Sequence, residues 1–419
     1  MLQFKFLLIV FLCATVADVT AKVKKPIFKK IKFKKPQKAI RAPKEPKKGE
    51  PKVEPAKSNI LEPYGVEVDS THALLIDYQS GKILLQKNAN EQLEPASMTK
   101  IMTAYMVMKA MHEGRVKPES MVTISRNARK IEKGSSDMFL EVGDQVTIEE
   151  LLKGLIIVSG NDAAVALAEY LGGTQSAFSA DMTHVARELG CKQTNFKNAS
   201  GLPEEGHLTS AYDLFLMSKK MFEEFPKWYG IHKEIDFTYR GIHQQNRNLL
   251  LTKNIGCDGI KTGHTERAGY GMVASAVQNG RRLFLVVCGL KSAKQRGEES
   301  YRLLQWGFGT FGNYTIVPKN QPIMSLPVRY GSVESIEVEP KSHVLTLHRN
   351  RISQVKAVVK HADVLVAPIK AGDQVGEVIV THPDFANPVV IPLVVNKDVT
   401  RSIFLSRMGQ TLRYLFEKG

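Results

Sequence analysis

Three short patterns set hydroxyls and amines at spacings that chemistry can use. The first is Ser97-Met98-Thr99-Lys100. Apolar residues recur at three- and four-residue steps from Ile101 through Met108, which predicts a helix here. Residues three apart share a helical face, so the Lys100 amine would lie one turn beyond the Ser97 hydroxyl. Ser97 would fall in the first turn, where unpaired N–H groups and the macrodipole favour developing negative charge. A serine alone is a weak nucleophile, and a serine beside a base is an activated one. Ser-x-x-Lys also arises often by chance, so it needs partners.

Two partners follow. Ser159-Gly160-Asn161 comes after the apolar run Leu151 to Val158 and before a second helical pattern, Asp162 to Ala168, which puts it on a connection between two buried helices. Lys261-Thr262-Gly263 precedes a hairpin pattern: Tyr270 to Val277, an Asn279-Gly280 turn, then Leu283 to Cys288. The lysine triplet is therefore expected on or beside a sheet strand. Together the three patterns, in this order, are the signature shared by β-lactamases and penicillin-binding proteins.

From about residue 60 onward the chain resembles the low-molecular-weight penicillin-binding proteins that act as serine-type D-alanyl-D-alanine carboxypeptidases. Beyond the triplets, Ala73 to Leu84 is similar to that family's first hairpin, and Asp258-Gly259-Ile260-Lys261-Thr262-Gly263-His264-Thr265 to its active-site strand. The resemblance implies an α+β transpeptidase-like domain with an antiparallel sheet and a helical part. A small all-β domain and a C-terminal amphipathic helix would follow. It implies Ser97 as nucleophile, Lys100 as base and Ser159 as proton relay to the leaving amine. Asn161 would donate to the substrate amide carbonyl, and Lys261 and Thr262 would meet its terminal carboxylate. Gly263 would let the strand approach closely. The backbone N–H groups of Ser97 and His264 would form the oxyanion hole. Arg296 would help hold the free carboxylate as a two-pronged donor, selecting for a free C-terminus. For Lys100 to act as base its pKa must fall well below about 10. Burial and the like charge of Lys261 are the expected causes.

The expected partners are peptidoglycan pentapeptide stems as substrate and β-lactam antibiotics as covalent inhibitors. No cofactor is expected, and the scattered histidines show no zinc-binding spacing. Rival readings on the same scaffold are a DD-endopeptidase and a β-lactamase. The Glu-x-x-Leu-Asn pattern of class A β-lactamases is absent between Ser159 and Lys261, where Glu204 and Glu205 stand outside any such pattern. From another class, a non-catalytic wall-binding relic would keep the fold without the reaction.

The elements that position these residues fit a chain of 419 residues with 43% hydrophobic content. Residues 1–21 read as a cleavable secretory signal, with an apolar core too short to span a bilayer. Residues 22–59 hold fourteen Lys, one Arg and three Glu, a net +12 of the formal +16. Charge confined to a Pro-rich segment predicts a disordered arm rather than a nucleic-acid-binding face. That arm would be a spacer or a contact for anionic wall polymer or lipid. Residues 60–318 form the expected catalytic domain, with a polar loop from Leu189 ending in a helix start at Thr209 to Asp213. Asp213 is expected mainly to cap that helix. Residues 319–396 carry short Val/Ile runs such as Val344 to Leu347 and read as all-β. Residues 397–419 read as an amphipathic helix, with Phe404, Met408, Leu412, Leu415 and Phe416 on one face, able to lie on the inner membrane but not to cross it. The expected location is the periplasmic face of the cytoplasmic membrane. Cys191, Cys257 and Cys288, an odd number after signal removal, are expected as buried thiols.

Overall fold

The computed structural model describes residues 60–61, 65–130, 135–317, 321–341, 343–385 and 387–403. The expected signal, arm and residues 404–419 of the terminal helix lie outside them. The chain divides into two compact units: a larger one of Ser58–Tyr314 with Val344–Arg349, and a smaller one containing Thr315–His343 and the chain from Asn350.

The larger unit is α+β, as expected. Its sheet comprises β1 (Ile60–Leu61), β2 (His72–Asp77), β3 (Ile83–Lys87), β4 (Cys257–Thr265), β5 (Gly269–Gln278) and β6 (Arg281–Leu290). The order is β1-β3-β2-β6-β5-β4, antiparallel throughout, so β4 is an edge strand among the described residues. Asn279 and Gly280 both have positive φ at the β5–β6 turn, the twist that closes a two-residue hairpin. Successive strand residues face opposite sides. Leu74, Ile76, Phe284 and Val286 join the core of the helical layer, while Ala73, Leu75, Leu283 and Leu285 pack with Leu303, Leu304 and Phe308. Both faces are covered, so Leu283 to Val287 is apolar throughout instead of alternating.

The helical layer includes α1 (Lys100–His112), α2 (Ile148–Lys153), α3 (Asn161–Gly172), α4 (Gln175–Glu188) and α5 (Ala211–Glu224); α6 (Ala293–Thr310) covers the other sheet face. In α1 every residue from Lys100 to Met108 is buried, so the helix is enclosed rather than amphipathic. Thr147 and Glu150 form a capping box at the start of α2. Ser210 caps α5 by accepting from Asp213 N. The Asp213 carboxylate instead accepts from Lys192 N, Gln193 N and the Thr194 hydroxyl, tying down the loop before the helix. Buried Arg281 donates to Asp77 (2.7 Å) and to the carbonyls of Gly307 and Phe311, joining β2 and β6 to the end of α6.

The smaller unit contains a six-stranded sheet of β8 (Met324–Arg329), β9 (Ser335–Pro340), β11 (Lys356–His361), β12 (Leu365–Val366), β13 (Gln374–Thr381) and β14 (Val389–Val395), in the order β11-β13-β14-β9-β8-β12. Leu326, Val338, Leu393 and Val395 fill its core. Two expectations change here. The Val344 to Leu347 run lies in β10 (His343–His348), which pairs with β7 (Phe311–Val317) and groups with the larger unit. Buried Thr346 supplies the reason, donating to Asn313 and meeting the Ser80 hydroxyl in the β2–β3 turn. Residues 397–401, expected to begin the terminal helix, are not helical: Val399 bridges Ile369 and Arg401 bridges Gly331. Cys191 and Cys288 are buried free thiols, and Cys257 is a free thiol of intermediate exposure. Among the described residues no helix is long and apolar enough to cross a membrane, and no group of His, Cys, Asp and Glu could hold a metal.

Candidate active site

Ser97 lies in a 3-10 turn, Ala96–Thr99, directly before α1, rather than inside the α-helix itself. Met98, 1% exposed, keys this turn into the sheet. A Cβ on Gly263 would sit 3.1 Å from both Met98 Cγ and Pro95 O, and one on Gly271 would sit 2.8 Å from Met98 Cε. Gly263 is thus needed first by the nucleophile's own turn, a use the sequence reading did not assign to it.

Lys100 opens α1 and is 1% exposed. Its Nζ lies 3.1 Å from Ser97 Oγ, 2.6 Å from Asn161 Oδ1 and 2.5 Å from the Ser200 carbonyl. Burial pushes its pKa down to about 7, against an upward pull from Asp162. Loss of hydration, the first of the two expected causes, leads. The repulsion between the two lysines is mutual, and Lys261 is itself held well below its ordinary value by burial first, then by Lys100, Arg296 and Arg247.

Lys261 projects from β4, 3% exposed, and donates to Ser159 Oγ (2.9 Å) and Thr262 O (3.1 Å). Ser159 reaches it from an unusual backbone. The chain leaves α2 through a π-helical turn, Gly154–Val158, and Ser159 then takes the left-handed conformation at φ 67°. Such positions in a residue other than glycine cluster at functional sites. Gly160, not Asn161, is the cap of α3; Asn161 is its first residue and spends its side-chain oxygen on Lys100.

Thr262 is buried and His264 exposed on the same strand, with the His264 ring stacked on Tyr270 at 3.8 Å. Arg296 in α6 is 7% exposed, its Nη1 3.5 Å from Gly263 O and its Nε without a partner. Burial lowers its pKa only to about 10, so it stays charged. The structure thus joins Ser97, Lys100 and Asn161 by hydrogen bonds, links Ser159 to Lys261, and sets Arg296 behind Gly263.

Three contributors escaped the sequence reading. The Ser200 carbonyl is backbone in a loop flagged only as polar. Arg247 is felt by Lys261 only across the fold. Asp162, adjacent to Asn161, was legible as a neighbour but not as a buried acid. Its carboxylate accepts from Met138, Leu140 and Ala163 N, and burial, then Asp137, pushes its pKa up to about 7.

The sequence profile of the D-alanyl-D-alanine carboxypeptidase family matches residues 57–292, and that of the penicillin-binding protein 5 C-terminal domain matches residues 311–401. The chain is 40% identical over 318 residues to the D-alanyl-D-alanine carboxypeptidase DacC of Escherichia coli (strain K12), covering 74% of this chain and 80% of that one. It is similar to the solved penicillin binding protein 5 from Haemophilus influenzae, with a TM-score of 0.72 at 37% identity over 81% of this chain and 99% of the other. Penicillin-binding protein D2 from Listeria monocytogenes, solved in its cefotaxime-bound form, gives a TM-score of 0.54 at 26% identity over 58% of this chain and 99% of the other. The family profile covers more than half of the sequence: the chain belongs to the D-alanyl-D-alanine carboxypeptidase family.

Proposed function

We propose that the enzyme removes the terminal D-alanine from peptidoglycan pentapeptides through an acyl-enzyme on Ser97. The observation that carries this reading is the set of three oxygens around Lys100 Nζ. The Ser200 carbonyl can only accept, and the Asn161 side chain turns its oxygen to the amine. A neutral amine has two N–H bonds and one lone pair. With both N–H bonds spent on those oxygens, the lone pair is left for the Ser97 O–H. Lys100 then takes the Ser97 proton as Oγ attacks the penultimate carbonyl. The tetrahedral oxyanion is received by the N–H groups of Ser97 and His264. Collapse breaks the C–N bond; Ser159, held by Lys261, gives its proton to the leaving amine of D-alanine and is reprotonated by the proton that Lys100 took from Ser97, so Lys100 is neutral again. Lys100 then takes a proton from water, whose oxygen attacks the ester carbonyl; the proton returns to Ser97 Oγ as it leaves, and the tetrapeptide is released. Lys261, Thr262 and Arg296 supply the charge and donors that a terminal carboxylate needs.

β-Lactams present a carboxylate and a strained amide to the same groups and would acylate Ser97. Residues 60–318, with 344–349 returning to them, make up the catalytic domain in this reading, and 319–396 a β domain. An exported enzyme on the periplasmic face of the membrane, with a removed signal (1–21), a basic arm (22–59) and an anchoring segment now confined to 404–419, completes it. Mass spectrometry after incubation with a penicillin should show one adduct on Ser97, and a pentapeptide should release D-alanine. A Ser97→Ala variant that still formed the adduct would end the proposal. Membrane fractionation unchanged by deleting 404–419 would remove the anchor alone.

A further inference from the structure

We propose that His207 is a positioning residue for the base: by bridging Lys197 and Thr99 it holds residues 197–201 where the Ser200 carbonyl can take one Lys100 N–H. The inference rests on the functional reading above and adds a residue to it. His207 is 3% exposed, lies in the loop before α5 and touches neither Ser97 nor Lys100 through any hydrogen bond described. Its Nδ1 is 3.1 Å from Lys197 N and its Nε2 is 2.8 Å from Thr99 Oγ1. A backbone N–H only donates, so Nδ1 accepts. The neutral ring then carries its proton on Nε2 and donates to Thr99. Burial, then the charges of Lys100 and Lys197, pushes the ring pKa down to about 4, which keeps Nδ1 an acceptor. Phe196 fixes the ring edge-on at 5.7 Å.

Between the two ends of this bridge lies the segment that meets α1. Thr103 donates to Ala199 O at 2.7 Å, Lys100 to Ser200 O at 2.5 Å, and Gly201, at φ +84°, lies where a Cβ would come within 1.8 Å of Ala96 O. Asn198 Oδ1 accepts from Ser200 N and Gly201 N, so the segment is a compact turn tied to itself. His207 joins the start of that piece to the residue immediately before the base. Losing the bridge would let the piece lift, admit water to Lys100 and take the second N–H acceptor away from it.

The test measures the second-order rate of acylation by a fluorescent penicillin, from pH 5 to 9, in the full chain. His207→Leu removes both bonds. Thr99→Val removes one while keeping the shape of the side chain. His207→Gln offers an amide oxygen and an N–H in their place. Leu and Val variants should each acylate about 10–100-fold more slowly. The acid limb of their pH profiles should move upward as Lys100 regains hydration. Gln should recover most of the rate, and the Leu/Val double variant should be no slower than the slower single variant. Folded Leu and Val variants that acylate within twofold of wild type with an unmoved limb would overturn the proposal. So would a Gln variant as slow as Leu. Should His207→Leu fail to fold, Thr99→Val decides. Wild-type protein that takes no penicillin at Ser97 would instead defeat the functional reading, and this proposal with it.

Discussion

Replacing Gly201 by alanine should stall the reaction more than it destabilises the fold. Gly201 adopts φ +84°, and an ideal Cβ there lies 1.8 Å from Ala96 O and 2.9 Å from Thr99 Oγ1. Ordinary contact begins near 3.4 Å, so the loop and the nucleophile's turn must part by about 1.5 Å, and a misplacement of about 1 Å can cost on the order of 100-fold in rate. The left-handed backbone adds roughly 1–2 kcal/mol of destabilisation for a residue with a Cβ. Gly173 provides the control: it has φ +72° after α3 with nothing within 4 Å of its Cβ. Gly173→Ala should lose the same roughly 1–2 kcal/mol and acylate normally. Thermal unfolding and stopped-flow penicillin acylation of both variants separate the two effects. If folded Gly201→Ala acylates within twofold of wild type, the claim that this loop sets the geometry of the base is refuted.

Three further outcomes are expected. Acylation should require neutral Lys100, so its rate should rise with pH through about 7 and fall about tenfold per unit below it; a profile flat from pH 5 to 8 would exclude Lys100 as the base. Arg296→Ala should raise KM for a peptide ending in a free D-alanine carboxylate but leave KM for the C-terminal amide unchanged, a split read by steady-state release of D-alanine from the first and D-alaninamide from the second. Arg281→Leu should cost about 3–5 kcal/mol in denaturant unfolding, because it leaves the fully buried Asp77 carboxylate without its cation, held only by the neutral donors of Ser80 and Asn313.

Much of the site could be read from residue types because its chemistry is local in sequence. Ser97 and Lys100 are three apart, Ser159 and Asn161 two apart, and the β5–β6 hairpin announces itself through Asn279-Gly280. What stayed hidden was what acts through the fold. Ser200 contributes a carbonyl that any residue would carry. His207 reads as one histidine among eleven until its two ring nitrogens are seen to be taken. Burial and a second lysine both follow as causes from what a lysine base needs, but only the fold shows that burial leads for Lys100. Val344 to Leu347 reads correctly as a strand, but a strand pattern does not name its sheet; Thr346 and Asn313 decide that.

Met98 in its glycine notch has a practical corollary. The nucleophile's turn packs closely onto Gly263 and Gly271, which belong to strands that enter the chain more than 150 residues later. A nascent or half-assembled molecule therefore has the right residues but no reactive centre. Covalent capture by a penicillin would time the last stage of maturation, counting finished molecules one by one and passing over every unfinished one.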